Sequence, residues 1–508
     1  MRHRLLSTLL LTALCSPLAA QKFPVISAKP PFWAGLGRDS THSAQLTTGT
    51  QPMNQIRWQT PVDLVPQYTG TYLLIHYGSP LITSSGLVLV TVKTGASGGF
   101  QVECRQPSNG GLIWNQTTDY ILPPHNWTPS CGSTLTPSNQ LATPAAGGTI
   151  LLRANADSPA SVPTRIAFYG TAAYAANPTA YDNAVQICTP ITSDLHGNLF
   201  FGFRVSGSTP VPLTSGLARI AANGTGSWVA ASTAAADPSI RKVAYNCAPA
   251  VTANGSSVYF VVNSNNNSGA SGGYLVKLDA TTLATQATVR LKDVVNPNND
   301  AYLHDDGTAS PTLGPDGDVY IGVLENSFGS NHLRGWLRHF DANLSTTKLA
   351  GPFGWDDTPS IVPRSMVPQY TGPSSYLVLT KYNNYWSGGG DGMNRLGVFD
   401  PNVSMIDPIS GATVMNNVLN VLGPTPDPAF PTGVTEWCIN TAAIDVAGKS
   451  AIVNSEDGKC YRWHFPTNTL SQTVTLTAGL GEAYTPTIVG ADGTCFAINN
   501  GILFAIGQ

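Results

Sequence analysis

Charged side chains are scarce in this sequence of 508 residues. Lys, Arg, Asp and Glu make up 11% of the chain, and 26 basic and 29 acidic residues leave a net charge of −3. A nucleic-acid-binding surface needs clustered Lys and Arg, so we expect no nucleic-acid partner. Beyond the N-terminus no apolar run approaches the ~20 residues of a membrane span. Few stretches show helical periodicity, which argues against a helical bundle.

Glycine, proline and small polar residues are abundant instead. Gly occurs 50 times and Pro 38 times, and both residues mark turns between regular elements. Short runs of apolar residues with period-two alternation lie between these turns, and such runs predict β-strands. The sequence therefore predicts an all-β protein that is large enough to bury an extensive core.

The N-terminus has the composition of a secretory signal peptide. Two arginines precede an apolar run from Leu5 to Leu14, and small residues follow up to Ala20. This order predicts cleavage after Ala20. We expect residues 1–20 to be a signal peptide and residues 21–53 to be an N-terminal arm. The mature protein is then secreted, to the periplasm, the cell surface or the extracellular space.

One phrase recurs along the chain: a small residue and a proline, a few alternating apolar residues, a Gly turn and an apolar strand. Two degenerate copies lie at 131–137 and 438–448, and clear copies begin at Pro80, Pro190, Pro249, Pro311, Pro359 and Pro486. The copies recur about every 58 residues, a period typical of a β-propeller blade with about four strands. We therefore predict an eight-bladed β-propeller, with a seven-bladed ring as the alternative.

The last copy contains only three strands. A fourth strand is available at residues 54–61, the first strand-like segment of the mature chain. An N-terminal strand in the last blade would leave no open sheet edge. We therefore predict a single propeller domain over residues 54–508, closed by its N-terminal strand.

Cysteine is also scarce. Removal of Cys15 with the signal peptide leaves seven cysteines, none of them in the CxxC spacing of a zinc site. An odd number in an oxidising compartment leaves at least one thiol without an intramolecular partner. Neighbouring blades splay apart outward, so cysteines near the axis are favoured for bridging. The disulfide candidates are Cys131, Cys188 and Cys247, which hold similar places in successive repeats, and Cys460 with Cys495.

Three segments resemble the repeat proteins of the pyrroloquinoline-quinone (PQQ) type. They are SPTLGPDGDVYIG at 310–322, TPTIVGADGTCFAINNGILFAIG at 485–507, and WAGLGRDSTHS at 33–43, which is followed by Trp58. The first two are similar to the blade pattern of that family, and the third is similar to the segment that opens many bacterial members. The resemblance implies a β-propeller. The family includes both quinoprotein dehydrogenases and non-catalytic outer-membrane assembly proteins.

The sequence departs from the catalytic members of that family. Those enzymes carry two adjacent cysteines beside the quinone, and no such dipeptide occurs here. The tryptophan that docks between blades in the family motif survives only in fragments, at Trp114 and Trp228. The resemblance therefore implies a non-catalytic member, with no PQQ cofactor and no catalytic residue carried over.

A polar or aromatic cluster precedes the first strand of most repeats. In a propeller these segments reach one rim of the central channel, where convergent polar groups and aromatic walls predict a ligand site. Candidate ligand-binding residues are His76, His304, Asp305, Asp306, Trp355, Asp356, Asp357, Glu436, Trp437 and Glu482. Asp306 and Asp357 are candidate ligands for Ca²⁺, which oxygen donors bind. The alternative is that these aspartates cap turns.

The sequence favours a secreted binding or scaffold protein whose partner is a protein or a glycan. The alternative is an extracellular carbohydrate-active enzyme that uses the acidic, aromatic-lined rim, because paired carboxylates cleave glycosidic bonds. No cofactor other than Ca²⁺ is expected.

Overall fold

The computed structural model describes residues 30–46, 48–70, 72–266, 269–307, 309–479 and 486–508. Eight small sheets in these ranges form a ring, which is an eight-bladed β-propeller. The predicted fold and number of blades are therefore confirmed. The predicted signal peptide lies outside the described residues. No helix in the described ranges is long and apolar enough to cross a membrane.

Blades 1 to 4 follow the chain, and each begins at its innermost strand. Blade 1 contains Leu81–Ile82, Val88–Lys93, Phe100–Arg105 and Leu112–Thr118. Blade 2 contains Thr134–Leu135, Leu141–Pro144, Thr149–Arg153 and Pro163–Ala167. Blade 3 contains Val185–Ile187, Thr192–Ser193, Leu199–Val205, Gly216–Ile220 and Gly226–Ala230. Blade 4 contains Lys242–Val243, Ala250–Val251, Ser257–Asn263, Gly273–Asp279 and Thr285–Arg290.

Blades 5 to 8 complete the ring. Blade 5 contains Thr312–Leu313, Val319–Val323 and Trp336–Phe340. Blade 6 contains Ser360–Pro363, Tyr376–Lys381, Arg395–Ile406 and Thr413–Leu422. Blade 7 contains Ala443–Asp445, Ser450–Asn454, Lys459–His464 and Thr469–Thr475. Blade 8 contains Ile488–Val489, Cys495–Asn499, Ile502–Gly507 and the N-terminal strand Gln55–Pro61.

The remaining elements are short and lie between or beside the blades. The helices of the described ranges are Thr171–Ala176, Pro178–Asp182 and Ala231–Ala235, with 3-10 turns at Ala146–Gly148, Arg364–Met366 and Trp386–Gly388. Strand Tyr68–Thr69 pairs with Tyr72–Leu73, and Ala270–Ser271 pairs with Leu303–His304. These two small sheets extend from the ring before blades 1 and 5.

The N-terminal strand closes the ring as predicted. Gln55–Pro61 pairs antiparallel with Ile502–Gly507, the last strand of the chain. Trp58 on this strand is buried, and its indole nitrogen donates to the carbonyl of Pro107 in blade 1 at 2.8 Å. The strand therefore completes blade 8 and also contacts the next blade, so that the first and last parts of the chain are held together.

The recurring small residue before proline joins neighbouring blades. The backbone N–H of Ala248 in blade 4 donates to Ser310 Oγ at 2.9 Å, and the N–H of Ser310 donates to Thr358 Oγ1 of blade 6 at 3.0 Å. Thr358 in turn donates its own N–H to the carbonyl of Asn440 before blade 7. In blades 5 and 6 the hydroxyl thus satisfies a backbone donor of the preceding blade, whereas the hydroxyl of Thr189 accepts from Gly202 within its own blade.

The N-terminal arm runs along the ends of the inner strands. Arm carbonyls accept the backbone N–H groups of Leu135, Val251, Leu313, Ile361 and Ile444, which belong to blades 2, 4, 5, 6 and 7. The arm also forms a bridge between Trp33 and Ile82 of blade 1, and Gln45–Leu46 pairs parallel with blade 7. The side chain of His42 is buried, and its Nδ1 lies 2.7 Å from the carbonyl oxygen of Pro311. We call this end of the ring the base.

The predicted disulfide bonds are not formed, and all seven described cysteines are buried free thiols. Cys131, Cys188 and Cys247 pack into three different hydrophobic clusters, which separates their side chains. Cys460 and Cys495 share one cluster without bonding. Burial raises the pKa of the Cys495 thiol to about 12, which disfavours the thiolate that oxidation requires. The structure thus shows no disulfide bond among the described cysteines, and the predicted pairing stays a prediction.

Candidate functional site

The residues that precede the inner strands meet at the end of the ring opposite the base, which we call the mouth. Four of the predicted residues, His304, Asp306, Trp355 and Asp356, line one cavity of about 280 Å³ there. Trp127, Leu324, Phe328 and Leu333 complete its lining. Segments from before blades 2, 5 and 6 and a loop of blade 5 thus build the mouth cavity together.

Two histidine–tryptophan pairs lie beside Asp306. His76 stacks on Trp127 with ring centroids 5.4 Å apart and an interplanar angle of 21°. His304 meets Trp355 edge to face at 5.6 Å and 86°. Burial lowers the pKa of His76 to about 4, so this ring is neutral at physiological pH. The pairs give the cavity two fixed aromatic walls.

The side chain of Asp306 faces the cavity with few partners. One carboxylate oxygen lies 3.4 Å from Nδ2 of Asn126 and 3.4 Å from Nδ1 of His304. The side chain is 14% exposed. Asp306 therefore presents a largely desolvated carboxylate to whatever enters the mouth.

Asp305, the preceding residue, has a structural role. Its carboxylate lies 2.7 Å from Nζ of Lys242 and also accepts from the backbone of Tyr245 and from Nδ2 of Asn263. Both members of the ion pair are fully buried. Burial raises the pKa of Asp305 and lowers that of Lys242, while their mutual attraction opposes both shifts. The prediction of a ligand-binding role for Asp305 is not supported by this position, because its oxygens are occupied.

Asp357 is likewise held inside the protein. One of its oxygens accepts from the hydroxyl of Thr380 and, at 2.8 Å, from the backbone N–H of Lys381. Burial is the largest cause of its perturbed titration and raises its pKa to about 7. Asp357 is absent from the lining of the mouth cavity. These partners are 23 and 24 positions away at the end of strand Tyr376–Lys381, so Asp357 joins two segments of blade 6 and does not cap its own turn.

A buried lysine that the sequence analysis missed lies behind the cavity. Nζ of Lys381 is 3.9 Å from the carboxylate of Asp356, and both side chains are buried. Burial raises the pKa of the nearby Glu436 to about 7, and the charge of Lys381 opposes that rise. The sequence could have revealed this lysine, because it ends the apolar strand Tyr376–Lys381 and a buried charge needs an oppositely charged partner.

The remaining predicted residues fall outside the mouth cavity. Trp437 is fully buried, packs edge to face on Tyr461 and accepts at its carbonyl from Asn383. Glu482 lies outside the described residues. Trp437 is therefore part of the core between blades 6 and 7.

Comparisons with known proteins reach only the level of the fold. No protein-family model matches the chain, and the search of curated proteins finds no match either. Among solved structures, a europium-containing methanol dehydrogenase superposes with a TM-score of 0.58 at 8% identity, over 92% of this chain and 89% of that one. A quinohemoprotein alcohol dehydrogenase from Comamonas testosteroni superposes with a TM-score of 0.56 at 12% identity, over 95% of this chain and 81% of that one.

The chain shares the β-propeller fold of these two dehydrogenases. The resemblance seen in the blade repeats is thus confirmed at the level of the fold. A third structure, BamB from Moraxella catarrhalis, covers 89% of this chain and all of its own with a TM-score of 0.46 at 12% identity.

The described lining of the mouth cavity offers few favourable contacts to an anionic quinone such as PQQ. PQQ carries three carboxylates and needs basic groups around it, yet none of the described residues lining the mouth cavity is Lys or Arg. Lys242 and Lys381 behind the cavity are already paired with Asp305 and Asp356. The residues present thus favour a cation over an anionic cofactor.

Calcium binding by Asp306 and Asp357 stays a prediction. In the described ranges no group of three or more His, Cys, Asp or Glu side chains is arranged to hold a metal ion. Asp306 faces the mouth cavity, whereas an oxygen of Asp357 is bonded to Thr380 and Lys381. A calcium ion at both carboxylates would require Asp357 to exchange these partners.

Proposed function

We propose that this chain is a secreted binding protein whose ligand enters the mouth cavity. The cavity is the observation that carries the proposal: about 280 Å³, walled by Trp127, Trp355 and His304 and supplied with the carboxylates of Asp306 and Asp356. Small-molecule sites are typically concave, aromatic-lined and furnished with a few polar groups. The propeller fold itself fits a binding or scaffold role.

The arm at the base supports a single entrance. Its hydrogen bonds to the inner strands of five blades hold it across the far end of the ring. Leu36 of the arm lines a water-sized space within the ring together with Ser133, Asn246 and Asn440. A ligand therefore approaches from the mouth, where the loops before the blades supply its contacts. Secretion to the periplasm, the cell surface or the extracellular space rests on the signal peptide.

The alternative function is cleavage of carbohydrate. It is favoured by the placement of Asp306 and Asp356 on one cavity beside two tryptophans, because glycosidases use two carboxyl groups on either side of the scissile bond. The strongly raised pKa values belong to Asp357 and Glu436, and neither residue lines this cavity. Because these two carboxyl groups lie away from the cavity, we rank binding above catalysis.

The test is a thermal-shift screen of the mature protein against neutral oligosaccharides, amines and carboxylic acids. A ligand that binds only the folded state raises the melting temperature. We expect at least one class to do so, with the shift lost in Trp355→Leu and kept in Trp386→Leu, a matched rim tryptophan stacked on Phe430 outside the cavity. No shift with any class, or a shift unaffected by Trp355→Leu, would contradict the proposal. Release of chromophore from aryl glycosides would favour the enzyme.

A further inference from the structure

The carboxylate of Asp306 has no lysine or arginine partner within the described part of the chain. Its ion-pair contact there is with His304 at 3.4 Å, and no described Lys or Arg nitrogen reaches it. The side chain is nonetheless 86% removed from water. A carboxylate withdrawn from water is costly unless a positive group compensates it. The cavity in front of Asp306 is the open side from which such a group could come.

The walls of the mouth cavity are suited to a positive charge. The indole rings of Trp127 and Trp355 both line the cavity, and each is held by a histidine ring. Tryptophan faces attract cations through the ring quadrupole, most strongly where water is excluded. Phe328, which is 65% exposed, adds a third ring at the edge. Aromatic rings around a carboxylate form the arrangement that recognises ammonium groups.

The described lining of the cavity is acidic, because the carboxylates of Asp306 and Asp356 both belong to it. Lys381 offsets part of this charge through Asp356. A cleft lined by one sign of charge concentrates ligands of the opposite sign.

From these observations we propose that the mouth cavity binds a small organic cation, an alkylated ammonium compound, with Asp306 as its counter-ion and Trp127 and Trp355 as its walls. This inference rests on the proposed binding function and specifies the class of its ligand. A bare metal ion is a poorer match, because the described lining offers no group of three metal-binding side chains. An anionic ligand would meet two carboxylates and, in the described lining, neither Lys nor Arg.

The experiment is calorimetric titration with two probes of equal shape. Choline carries a quaternary nitrogen, and 3,3-dimethylbutan-1-ol has a neutral carbon in its place. We expect choline to bind the parent protein at least tenfold more tightly than the neutral alcohol. Asp306→Asn should weaken choline binding at least tenfold, because it removes the charge and keeps the size. Trp355→Leu should weaken it too, and the rim control Trp386→Leu should leave it unchanged.

Each other outcome contradicts the inference in a recognisable way. Equal binding of the two probes, or equal choline binding by parent and Asp306→Asn, would show that charge plays no part and would overturn it. Binding of a neutral oligosaccharide that depends on Trp355, without choline binding, would overturn the cation and leave the binding function standing. If no class of ligand binds, both the cation proposal and the proposed binding function are contradicted. If Asp306→Asn has a lower melting temperature than the parent, the affinities of choline and the neutral alcohol for the parent and for Trp355→Leu still test the inference.

Discussion

The carboxylate of Asp305 lies 2.7 Å from the ammonium nitrogen of Lys242, and neither side chain is exposed to water. The next residue, Asp306, faces the mouth cavity. Removing one partner of a buried ion pair leaves the other charge uncompensated and costs about 3–5 kcal/mol. Asp305→Asn should therefore lower the free energy of unfolding by about that much, measured by denaturant unfolding.

The matched control is the neighbouring substitution. Asp306→Asn should change stability by about 0.5 kcal/mol or less, because its carboxylate has no buried cation to leave behind. Replacing both partners, with Asp305→Leu and Lys242→Met, should recover much of the stability that the single change removes. Similar losses in the free energy of unfolding for Asp305→Asn and Asp306→Asn would show that the buried ion pair contributes no more to stability than the unpaired carboxylate does.

Removal of the closing strand should open the ring. A mature chain from which residues 54–61 are deleted keeps the arm but lacks the partner of Ile502–Gly507, which then presents an unpaired edge. Such edges promote association of sheets. We expect aggregation or loss of the cooperative melting transition, followed by light scattering and calorimetry. Addition of a synthetic peptide spanning 50–62 should restore the transition, and a truncated chain that melts like the parent would refute closure.

The raised pKa of Asp357 predicts how stability depends on pH. The folded value of about 7 exceeds the ordinary value of 3.8, so between about pH 4 and 7 the folded state binds a proton that the unfolded state has lost. This group therefore destabilises the protein as pH rises through that window. Asp357→Asn should flatten the fall in stability and raise stability at pH 8 relative to the parent.

His76 acts in the opposite direction over part of the same window. Its pKa is lowered from 6.5 to about 4, so it stabilises the folded state increasingly from pH 4 to 6.5. Both the parent and Asp357→Asn carry His76, so its contribution cancels when the stability of one protein is subtracted from that of the other at each pH. Denaturant unfolding at pH 4, 5.5, 7 and 8 measures this difference in stability. Identical pH profiles for the two proteins would mean that Asp357 has the same pKa in the folded and unfolded states.

The buried thiols should react only after unfolding. All seven described cysteines are free and buried, and burial raises the pKa of Cys131 above its ordinary range and that of Cys104 to about 12. Thiolate is the reactive form, so a thiol reagent should react slowly with native protein. Seven thiols per mature chain are expected in denaturant without reductant. A count of five or fewer would restore the disulfide bonds predicted from the repeats.

The signal peptide predicted from the sequence implies a specific N-terminus for the mature protein. Cleavage after Ala20 leaves Gln21 as the first residue. Mass spectrometry of the protein recovered from medium or periplasm should find this terminus. A mature chain that retains Cys15 would contradict the prediction and would also add an eighth thiol, which connects this measurement to the thiol count.

The rim residues illustrate how far sequence analysis reached into the site. His304, Asp306, Trp355 and Asp356 were predicted to converge and do line one cavity. Asp305 and Asp357 were predicted beside them, but both are buried against partners that the pattern did not show. Asp305 pairs with Lys242, and Asp357 accepts from Thr380 and from the backbone of Lys381. Asp305 and Asp306 lie in a turn, and Asp356 has a left-handed backbone with a φ of 56°, so the direction of each carboxylate depends on turn geometry that the repeat pattern did not show.

The sequence by itself determined the all-β class, the eight repeats and the closing strand, because alternation, turn residues and the small residue before proline are local features. The tertiary structure alone decided which carboxylates face the mouth and that the cysteines stay unpaired. Lys242 and Asp305 are 63 positions apart, and their contact depends on how blade 4 meets the loop before blade 5. The ionic partner and solvent exposure of a side chain are set by such distant neighbours, which a local pattern does not record.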